Sequence, residues 1–529
     1  MNTSTEQLSA EVTELERKVA DSPDSPELLL RLGWTKLQLG DSSAARDALL
    51  RAHVLRPDAV PIRIYAARAL AECGDYRAPQ LIQDWRRWVP LPDQLQFDLA
   101  DAMQRTDWTQ EAVGVLEDLV QRAPGHRWVR LLLGSLYERV NRLDDARTLI
   151  DAMPPEDAGG AEANRELVHQ QAVLRMRAGA LDEARTLLQC AGPRFDGDAE
   201  HFFLLGTLAD RLGDADDAMA QLHEAHARQR HTLERTAPQR LQNDAALLPA
   251  AEVYLDAEAA ARWPQQVAPD AQQSPVFVIG FPRSGTTLIE QMLDAHPALQ
   301  AMDERPHFDV LADQLEDYGV HVPRGLGRLT QADCDELRKG YMLMACARTP
   351  RRRDAQLVDK NPLNMLWLPL IQRVFPNARF ILMLRNPCDA LLSNYMQDYR
   401  SVVMMSISLD LERLARAYVE AFEYWFHHAA ILQPKVLTVR YEDLVAAPER
   451  AAAAMGGFLG LADASPMLNF ARHAREKGFI GTPSYTQVIE PINQLGVDRW
   501  LHYRRWFGKP LEILAPILAR VGYPGGGEV

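Results

Sequence analysis

One stretch of sequence decides the fold: Val276-Phe-Val-Ile-Gly-Phe-Pro-Arg-Ser-Gly-Thr-Thr-Leu-Ile-Glu-Gln-Met-Leu293. Its first residues are apolar and mostly β-branched, which predicts a buried parallel strand. A short turn over 280–285 follows, and Leu288, Ile289 and Met292 then recur at helical spacing. Strand, glycine-bounded turn and helix together predict a cradle in which backbone N–H groups converge on an anion.

The turn has the glycine spacing of a nucleotide-binding P-loop, with one residue changed. Thr286 stands where the ATP- and GTP-binding loop has a lysine that reaches the β- and γ-phosphates. A nucleoside triphosphate, and with it kinase activity, is therefore disfavoured. Arg283 offers a planar, bidentate fork for a tetrahedral anion instead. A chance glycine pair in an ordinary turn is the alternative, but it leaves unexplained the run Arg283, Ser284, Gly285, Thr286 and Thr287.

Length and composition are those of a globular protein with more than one domain. The chain has 529 residues, of which 47% are hydrophobic and 25% are charged. Such a length accommodates about three to four average domains or two large ones. The net charge of −14 and the pI near 5.5 argue against nonspecific nucleic-acid binding, because no global positive field attracts phosphate backbones.

The N-terminus and the cysteines predict a cytoplasmic protein. The first residues lack a basic region followed by an apolar stretch, so no signal peptide is expected. No run of about eighteen apolar residues occurs, so neither a transmembrane helix nor a membrane partner is expected. The cysteines are odd in number and far apart, which predicts reduced thiols without metal-ligand spacing: Cys73, Cys190, Cys334, Cys346 and Cys388.

The N-terminal part of the chain contains a repeat of about 34 residues. Alanines that each follow a turn-like dipeptide mark it, with one repeat skipped near Ala67: Ala45, Ala112, Ala146, Ala184 and Ala218. Leu-Gly pairs ending at Gly33, Gly134 and Gly206 precede three of these alanines. The pattern resembles roughly five or six tetratricopeptide repeats, which form an all-α solenoid. A generic helical bundle is the alternative.

These signals divide the chain into four parts. Residues 1–23 are expected to form an amphipathic capping helix, and residues 24–230 the repeats. Residues 231–274 read as a connecting helix and linker, and residues 275–529 as an α/β domain. Solenoids present a concave surface to peptides and proteins, so the repeats are predicted to recruit a partner. Self-association, for example as a homodimer, or a scaffolding role is the alternative.

The C-terminal half alternates buried strands with helices, which predicts a parallel, doubly wound sheet. Glu304 follows the predicted strand 299–302, and Lys360 and Arg385 end two later strands. The carboxyl ends of parallel strands meet at the ligand crevice, so these charged residues are expected to lie near the cradle. A carboxylate such as Glu304 can act there as a general base. Arg385 and Ser393 could hold a second phosphate.

Together these stretches resemble the sulfotransferases that use 3′-phosphoadenosine 5′-phosphosulfate (PAPS), and among them the tyrosylprotein sulfotransferases, over roughly residues 275–525. The resemblance implies that residues 282–287 form the 5′-phosphosulfate loop and that Arg385 and Ser393 bind the 3′-phosphate. It implies catalytic roles for Glu304 and Lys360, beside Arg283. It also implies further PAPS contacts from Tyr441, Ser484 and Arg499.

Two positions depart from the family. Gln397 stands where the animal enzymes have a further arginine for the 3′-phosphate, and Pro306 replaces an arginine near the acceptor. The expected activity is metal-independent transfer of a sulfuryl group from PAPS to a hydroxyl, first of all to tyrosine of a peptide or protein recruited by the repeats. A small-molecule, carbohydrate or lipid hydroxyl is the alternative acceptor. A non-catalytic nucleotide-binding adaptor is the alternative of another class.

Overall fold

Two compact units make up the chain in the structure, a computed structural model that describes residues 5–75, 77–106, 108–154, 161–302, 304–348, 351–352, 354–477 and 492–523. The helical unit comprises Met1–Asn243 with Asp398–Ser406. The α/β unit comprises Asp244–Gln397 with Ile407–Val529. Within the described ranges, no helix combines the length and the apolar character needed to cross a bilayer.

The helical unit consists of helices that pack in consecutive pairs, such as α2 with α3 and α12 with α13. Its helices are α1 Thr5–Asp21, α2 Pro26–Gln38, α3 Ser42–Leu55, α4 Val60–Glu72, α5 Ala78–Leu81, α6 Asp93–Arg105, α7 Thr109–Arg122, α8 Arg127–Arg139, α9 Leu143–Asp151, α10 Ala161–Arg177, α11 Leu181–Ala191, α12 Ala199–Arg211 and α13 Ala215–Thr236. Helix α1 packs through Leu15 and Val19 against Leu29 and Leu32 of α2.

Small residues set the spacing within the helix pairs. A Cβ atom at Gly33 would lie 2.4 Å from Leu49 Cγ, and one at Gly134 would lie 2.5 Å from Ile150 Cδ1. Gly206 makes the equivalent close approach in a third pair. The alanines that mark the repeat are all completely buried: Ala45, Ala112, Ala146, Ala184 and Ala218. Close helix pairs of this kind build the continuous core of a solenoid, so the predicted all-α repeat architecture is confirmed.

The skipped repeat near Ala67 has a shortened second helix. After α4 the chain forms only the four-residue α5 and a 3₁₀ turn, Trp85–Arg87. Pro90 and Pro92 follow, and neither can donate the backbone hydrogen bond that a longer helix needs. The marker alanine is therefore missing where the second helix is cut short.

The segment between repeats and sheet contains less helix than expected. Helix α13 extends to Thr236, and 3₁₀ turns at Pro238–Leu241 and Pro249–Ala251 follow it. The predicted connecting helix is only the five-residue α14, Ala257–Ala261. Asp256 caps its N-terminus, and the alanine run is bounded by Pro264 soon after its end.

The α/β unit is built on a parallel sheet, as predicted. Its strands are β1 Val276–Gly280, β2 Leu299–Ala301, β3 Gln356–Lys360, β4 Arg379–Leu384 and β5 Lys435–Arg440, in the order β2-β3-β1-β4-β5. The helices after α14 are α15 Thr286–Asp294, α16 His307–Asp317, α17 Gln331–Arg348, α18 Leu368–Val374, α19 Pro387–Tyr395, α20 Val402–Ile407, α21 Leu411–Leu432, α22 Tyr441–Ala446, α23 Pro448–Leu459, α24 Phe470–Lys477 and α25 Gly508–Val521. Of these, α20 belongs to the helical unit except for its last residue.

The central strand β1 places the ligand crevice. All its residues are buried, and it pairs with β3 on one side and β4 on the other. The chain leaves β1 toward β2 and later crosses to β4, so the strand order reverses beside β1. In open α/β sheets the crevice at such a reversal, outside the carboxyl ends of the strands, is where ligands bind.

Candidate active site

The turn between β1 and α15 has the strained backbone of an anion cradle. Arg283 and Gly285 have φ angles of 66° and 97°, in the left-handed region. For a non-glycine residue this conformation costs on the order of 1–3 kcal/mol and is found most often at ligand sites. A Cβ atom at Gly285 would lie 2.7 Å from Tyr441 Cδ2 and 2.9 Å from Met383 Cε, so no larger residue fits there.

The start of α15 turns its backbone donors toward this cradle. Gly285 is the N-cap residue and brings no capping side chain to the N–H groups of the first turn. Ser284, Thr286 and Thr287 are all buried beside it. Gly280 allows the turn to begin close to β4, because a Cβ atom there would lie 2.5 Å from the Met383 carbonyl oxygen. Backbone N–H groups, hydroxyls and a helix N-terminus together form an anion-binding site.

Arg283, Ser393, Arg385 and Tyr441 form one cluster at the end of β4. Arg283 Nε donates a hydrogen bond to Ser393 Oγ at 3.1 Å. Arg385 Nη1 donates to the Arg283 carbonyl oxygen at 2.8 Å, and its guanidinium lies 4.7 Å from the centre of the Tyr441 ring. Burial lowers the pKa of the Arg385 guanidinium. The two arginines thus concentrate positive charge in a desolvated place, where an anion is bound strongly.

The C-terminal segment also reaches this cluster. Arg385 Nη2 donates to the Gly496 carbonyl oxygen at 2.6 Å. The Asp389 carboxylate on α19 accepts the backbone N–H groups of Asp498 and Trp500, each at 2.8 Å. Arg499 lies between these two anchors, and its Nη2 donates to Met396 Sδ at 3.0 Å. Ser484, also expected to contact PAPS, lies outside the described residues.

A second cluster joins the ends of β2 and β3. Lys360 Nζ donates to Glu304 Oε2 at 2.7 Å and lies 3.4 Å from Glu290 Oε2. Lys360 and Glu290 are completely buried, whereas the Glu304 side chain is 45% exposed. Asn361 Nδ2 donates to the Arg305 carbonyl oxygen at 3.2 Å, which ties the Glu304 loop to the end of β3. Glu304 is therefore the carboxylate of this cluster that an acceptor can reach.

Three residues of these clusters have no role in the interpretation of the sequence. Glu290 follows Thr286 and Thr287 by one helical turn, but ordinary polar residues on a helix share this spacing, so the sequence alone does not single it out. Asn394 Nδ2 donates to the Pro282 carbonyl oxygen at 2.9 Å and fixes the cradle to α19. The Asp389 carboxylate binds backbone N–H groups that are distant along the chain, so no local sequence pattern indicates its role.

Other candidates lie apart from these clusters. Arg351 Nη2 donates to the Gln272 carbonyl oxygen at 2.8 Å, and the Arg352 side chain is 46% exposed. Cys388 is buried, which raises the pKa of its thiol to about 12 and makes it a poor nucleophile. No group of three or more His, Cys, Asp or Glu side chains in the described part of the chain is arranged to hold a metal ion.

Comparisons with known proteins agree with the two-part organisation. Residues 275–465 match the family model described as "Sulfotransferase family", and residues 109–165 match that of the tetratricopeptide repeat. The chain is 28% identical over 261 residues to protein-tyrosine sulfotransferase 2 of Gallus gallus, covering 47% of this chain and 69% of the relative. It is 28% identical over 264 residues to protein-tyrosine sulfotransferase 1 of Danio rerio, and the match covers 47% of this chain and 72% of that relative. An uncharacterized protein of Aquifex aeolicus (strain VF5) is 27% identical over 247 residues, 45% of this chain and 32% of that protein.

Several solved structures are similar to portions of this chain. The sulfotransferase domain from the Synechococcus PCC 7002 olefin synthase covers 45% of this chain and 91% of its own, with 21% identity and a TM-score of 0.31. A tetratricopeptide repeat protein from Parabacteroides merdae covers 40% of this chain and 86% of its own, with 15% identity and a TM-score of 0.29. The family matches, together with the parallel sheet, show a helical N-terminal part with a tetratricopeptide match and a C-terminal sulfotransferase fold, similar in sequence to the protein-tyrosine sulfotransferases.

Proposed function

We propose that this chain transfers a sulfuryl group from PAPS to the hydroxyl of tyrosine in a peptide or protein that the repeats recruit. The observation that carries the proposal is the Glu304–Lys360 pair, 2.7 Å apart at the end of β3, next to the strand that ends in the anion cradle. A sulfotransferase family match over residues 275–465 supports the reaction class. Similarity to the protein-tyrosine sulfotransferases of Gallus gallus and Danio rerio supports tyrosine as acceptor.

The residues of the crevice fit the proposed donor. The cradle supplies backbone N–H groups, Thr286, Thr287 and Arg283 to a 5′-phosphosulfate. Arg385 and Ser393 are proposed to bind the 3′-phosphate, with Tyr441, Arg499 and Ser484 as further contacts. Gly285 leaves no room for a Cβ atom between the loop and the Tyr441 ring, so the aromatic ring packs directly against the cradle.

Glu304 is the proposed general base. Its carboxylate takes the proton of the acceptor hydroxyl, the hydroxyl oxygen forms a bond to sulfur, and the bond from sulfur to the bridging oxygen breaks. The electron pair of that bond stays on the bridging oxygen, where Lys360 and Arg283 neutralise the developing charge. Sulfuryl transfer resembles phosphoryl transfer in that it depends on positioning and charge neutralisation. The two cations supply what Mg²⁺ supplies to triphosphate enzymes, so the proposal includes no metal.

The acceptor is tested by transfer of labelled sulfate from PAPS to the host proteome and to a small-molecule extract, with the full chain. The Glu304→Ala variant in the same extracts controls for labelling that does not depend on the site. Label on a protein tyrosine is the expected result. Label confined to a small molecule, carbohydrate or lipid would refute the tyrosine assignment. Binding of PAPS without any transfer would favour the adaptor.

A further inference from the structure

We propose that Glu290 is the permanent counter-ion of Lys360, a positioning residue that keeps the lysine charged and in place while Glu304 takes up the acceptor proton. The inference deepens the proposed function and rests on it. Its starting point is that one buried ammonium lies beside two carboxylates, Glu304 at 2.7 Å and Glu290 at 3.4 Å. One carboxylate is enough to neutralise the charge of one lysine, so the presence of a second carboxylate requires an explanation.

The two carboxylates differ in their access to solvent. The Glu304 side chain is 45% exposed, so an acceptor hydroxyl can approach it. The Glu290 side chain is completely buried, as is Lys360. Only Glu304 is therefore placed to exchange a proton with an acceptor, and Glu290 is shielded from that chemistry.

The proposed reaction removes one of the two negative charges beside Lys360, and Glu290 supplies the one that remains. Once Glu304 has taken the acceptor proton it is neutral, and the nearer partner of Lys360 is lost. A fully buried ammonium without a counter-charge favours its neutral form, which could not stabilise the leaving oxygen. Glu290 keeps its charge beside Lys360 at this stage, so the lysine stays protonated when its charge is needed.

The position of Glu290 on α15 connects the Glu290–Lys360 pair to the anion cradle. Glu290 follows Thr286 and Thr287 by one helical turn and so shares their face of the helix. The cradle that holds the donor and the carboxylate that holds Lys360 thus belong to one rigid element. Helix α15 therefore fixes the position of Lys360 relative to the sulfuryl group.

A four-variant cycle in the full chain tests the proposal: parent, Glu290→Gln, Lys360→Met and the double variant. Glutamine keeps the shape of glutamate and removes only its charge. We expect Glu290→Gln to lower kcat at least tenfold and to change the Kd of 3′-phosphoadenosine 5′-phosphate, measured by calorimetry, less than threefold. In the Lys360→Met background the same change should lower kcat no further, because the lysine it serves is gone.

Asp294→Asn is the matched control. Asp294 is a buried carboxylate on the same helix, but its partners are His473 at 3.0 Å, Lys477 at 3.4 Å and the Ala301 backbone N–H at 2.8 Å rather than Lys360. We expect this variant to leave kcat of the folded protein within twofold of the parent in both backgrounds. A merely structural role for Glu290 predicts that Glu290→Gln behaves like this control, and that result would overturn the proposal.

Urea unfolding of the same four proteins gives a readout that needs no acceptor. We expect the folding equilibrium constants to be non-additive by at least tenfold, since removing Lys360 leaves Glu290 as a buried, uncompensated charge. Additive constants would overturn the Glu290–Lys360 pairing. If the parent transfers sulfate to nothing, the proposed function fails, and these folding constants alone decide whether Glu290 is the counter-ion.

Discussion

Replacing Glu304 by alanine should separate activity from stability. The Glu304 side chain is 45% exposed and its partner Lys360 has a second, completely buried carboxylate 3.4 Å away in Glu290. Removal of the half-exposed Glu304 leaves the buried ammonium with Glu290 as its counter-charge, so the loss of stability should stay below the roughly 3–5 kcal/mol that an uncompensated buried charge costs. Loss of a general base, in contrast, lowers turnover about 10²–10⁴-fold, or roughly 3–5 kcal/mol of transition-state stabilisation.

Initial rates with labelled PAPS and urea unfolding of the same preparation measure the two effects. Calorimetry with 3′-phosphoadenosine 5′-phosphate should show unchanged affinity, because the cradle and Arg385 are untouched. Glu316→Ala is the matched control, since it removes an exposed carboxylate from the helix that follows Glu304. Full activity of Glu304→Ala would refute the assignment of the base. A loss of several kcal/mol of stability would refute the reasoning about Glu290 as the remaining partner.

Three further outcomes follow from the geometry. Arg283→Ala should raise the Kd for PAPS about 10–100-fold, the worth of a charged hydrogen bond, and lower transfer with it; unchanged affinity by calorimetry would contradict this role. Gly134→Ala should lower the unfolding free energy by about 1–3 kcal/mol in urea, because the added Cβ would lie 2.5 Å from Ile150 Cδ1; a neutral result would mean that the helix pair can move apart. Iodoacetamide at pH 8 should label the exposed Cys190 in the folded protein and leave Cys388 unlabelled, since burial raises the Cys388 pKa to about 12. Rapid labelling of Cys388, read by mass spectrometry, would show that its surroundings open.

The local parts of the fold could be read from the sequence. The cradle is encoded in one run of consecutive residues, and the parallel strands announce themselves as short apolar runs between helices. The proximity of Glu304 and Lys360 was predictable because Lys360 ends one parallel strand and Glu304 follows another closely, where the sheet geometry brings side chains together. The repeat was visible because close helix packing requires the same small residues at the same places, such as Gly33 and Ala45.

The remaining features depend on contacts between distant parts of the chain. Glu290 has the spacing of an ordinary polar residue on an amphipathic helix, and only its burial beside Lys360 distinguishes it. Asp389 binds the backbone N–H groups of Asp498 and Trp500, which no pattern around Asp389 could reveal. The connecting helix was overestimated because an alanine run favours a helix, while Pro249 and Pro264 limit how far one can extend.

The sheet order predicts different mobility for the anion cradle, which would hold the donor, and for the Glu304 loop, which would meet the acceptor. The cradle grows out of β1, which is hydrogen-bonded on both sides, whereas Glu304 follows β2, a three-residue strand at the edge. Amide hydrogen exchange should accordingly be slowest in β1 and fast around residue 304. The donor would thus be held at an interior strand of the sheet, and the acceptor would be met beside an edge strand. New acceptors could be accommodated by remodelling one edge of the sheet, with no change to the way the donor is bound.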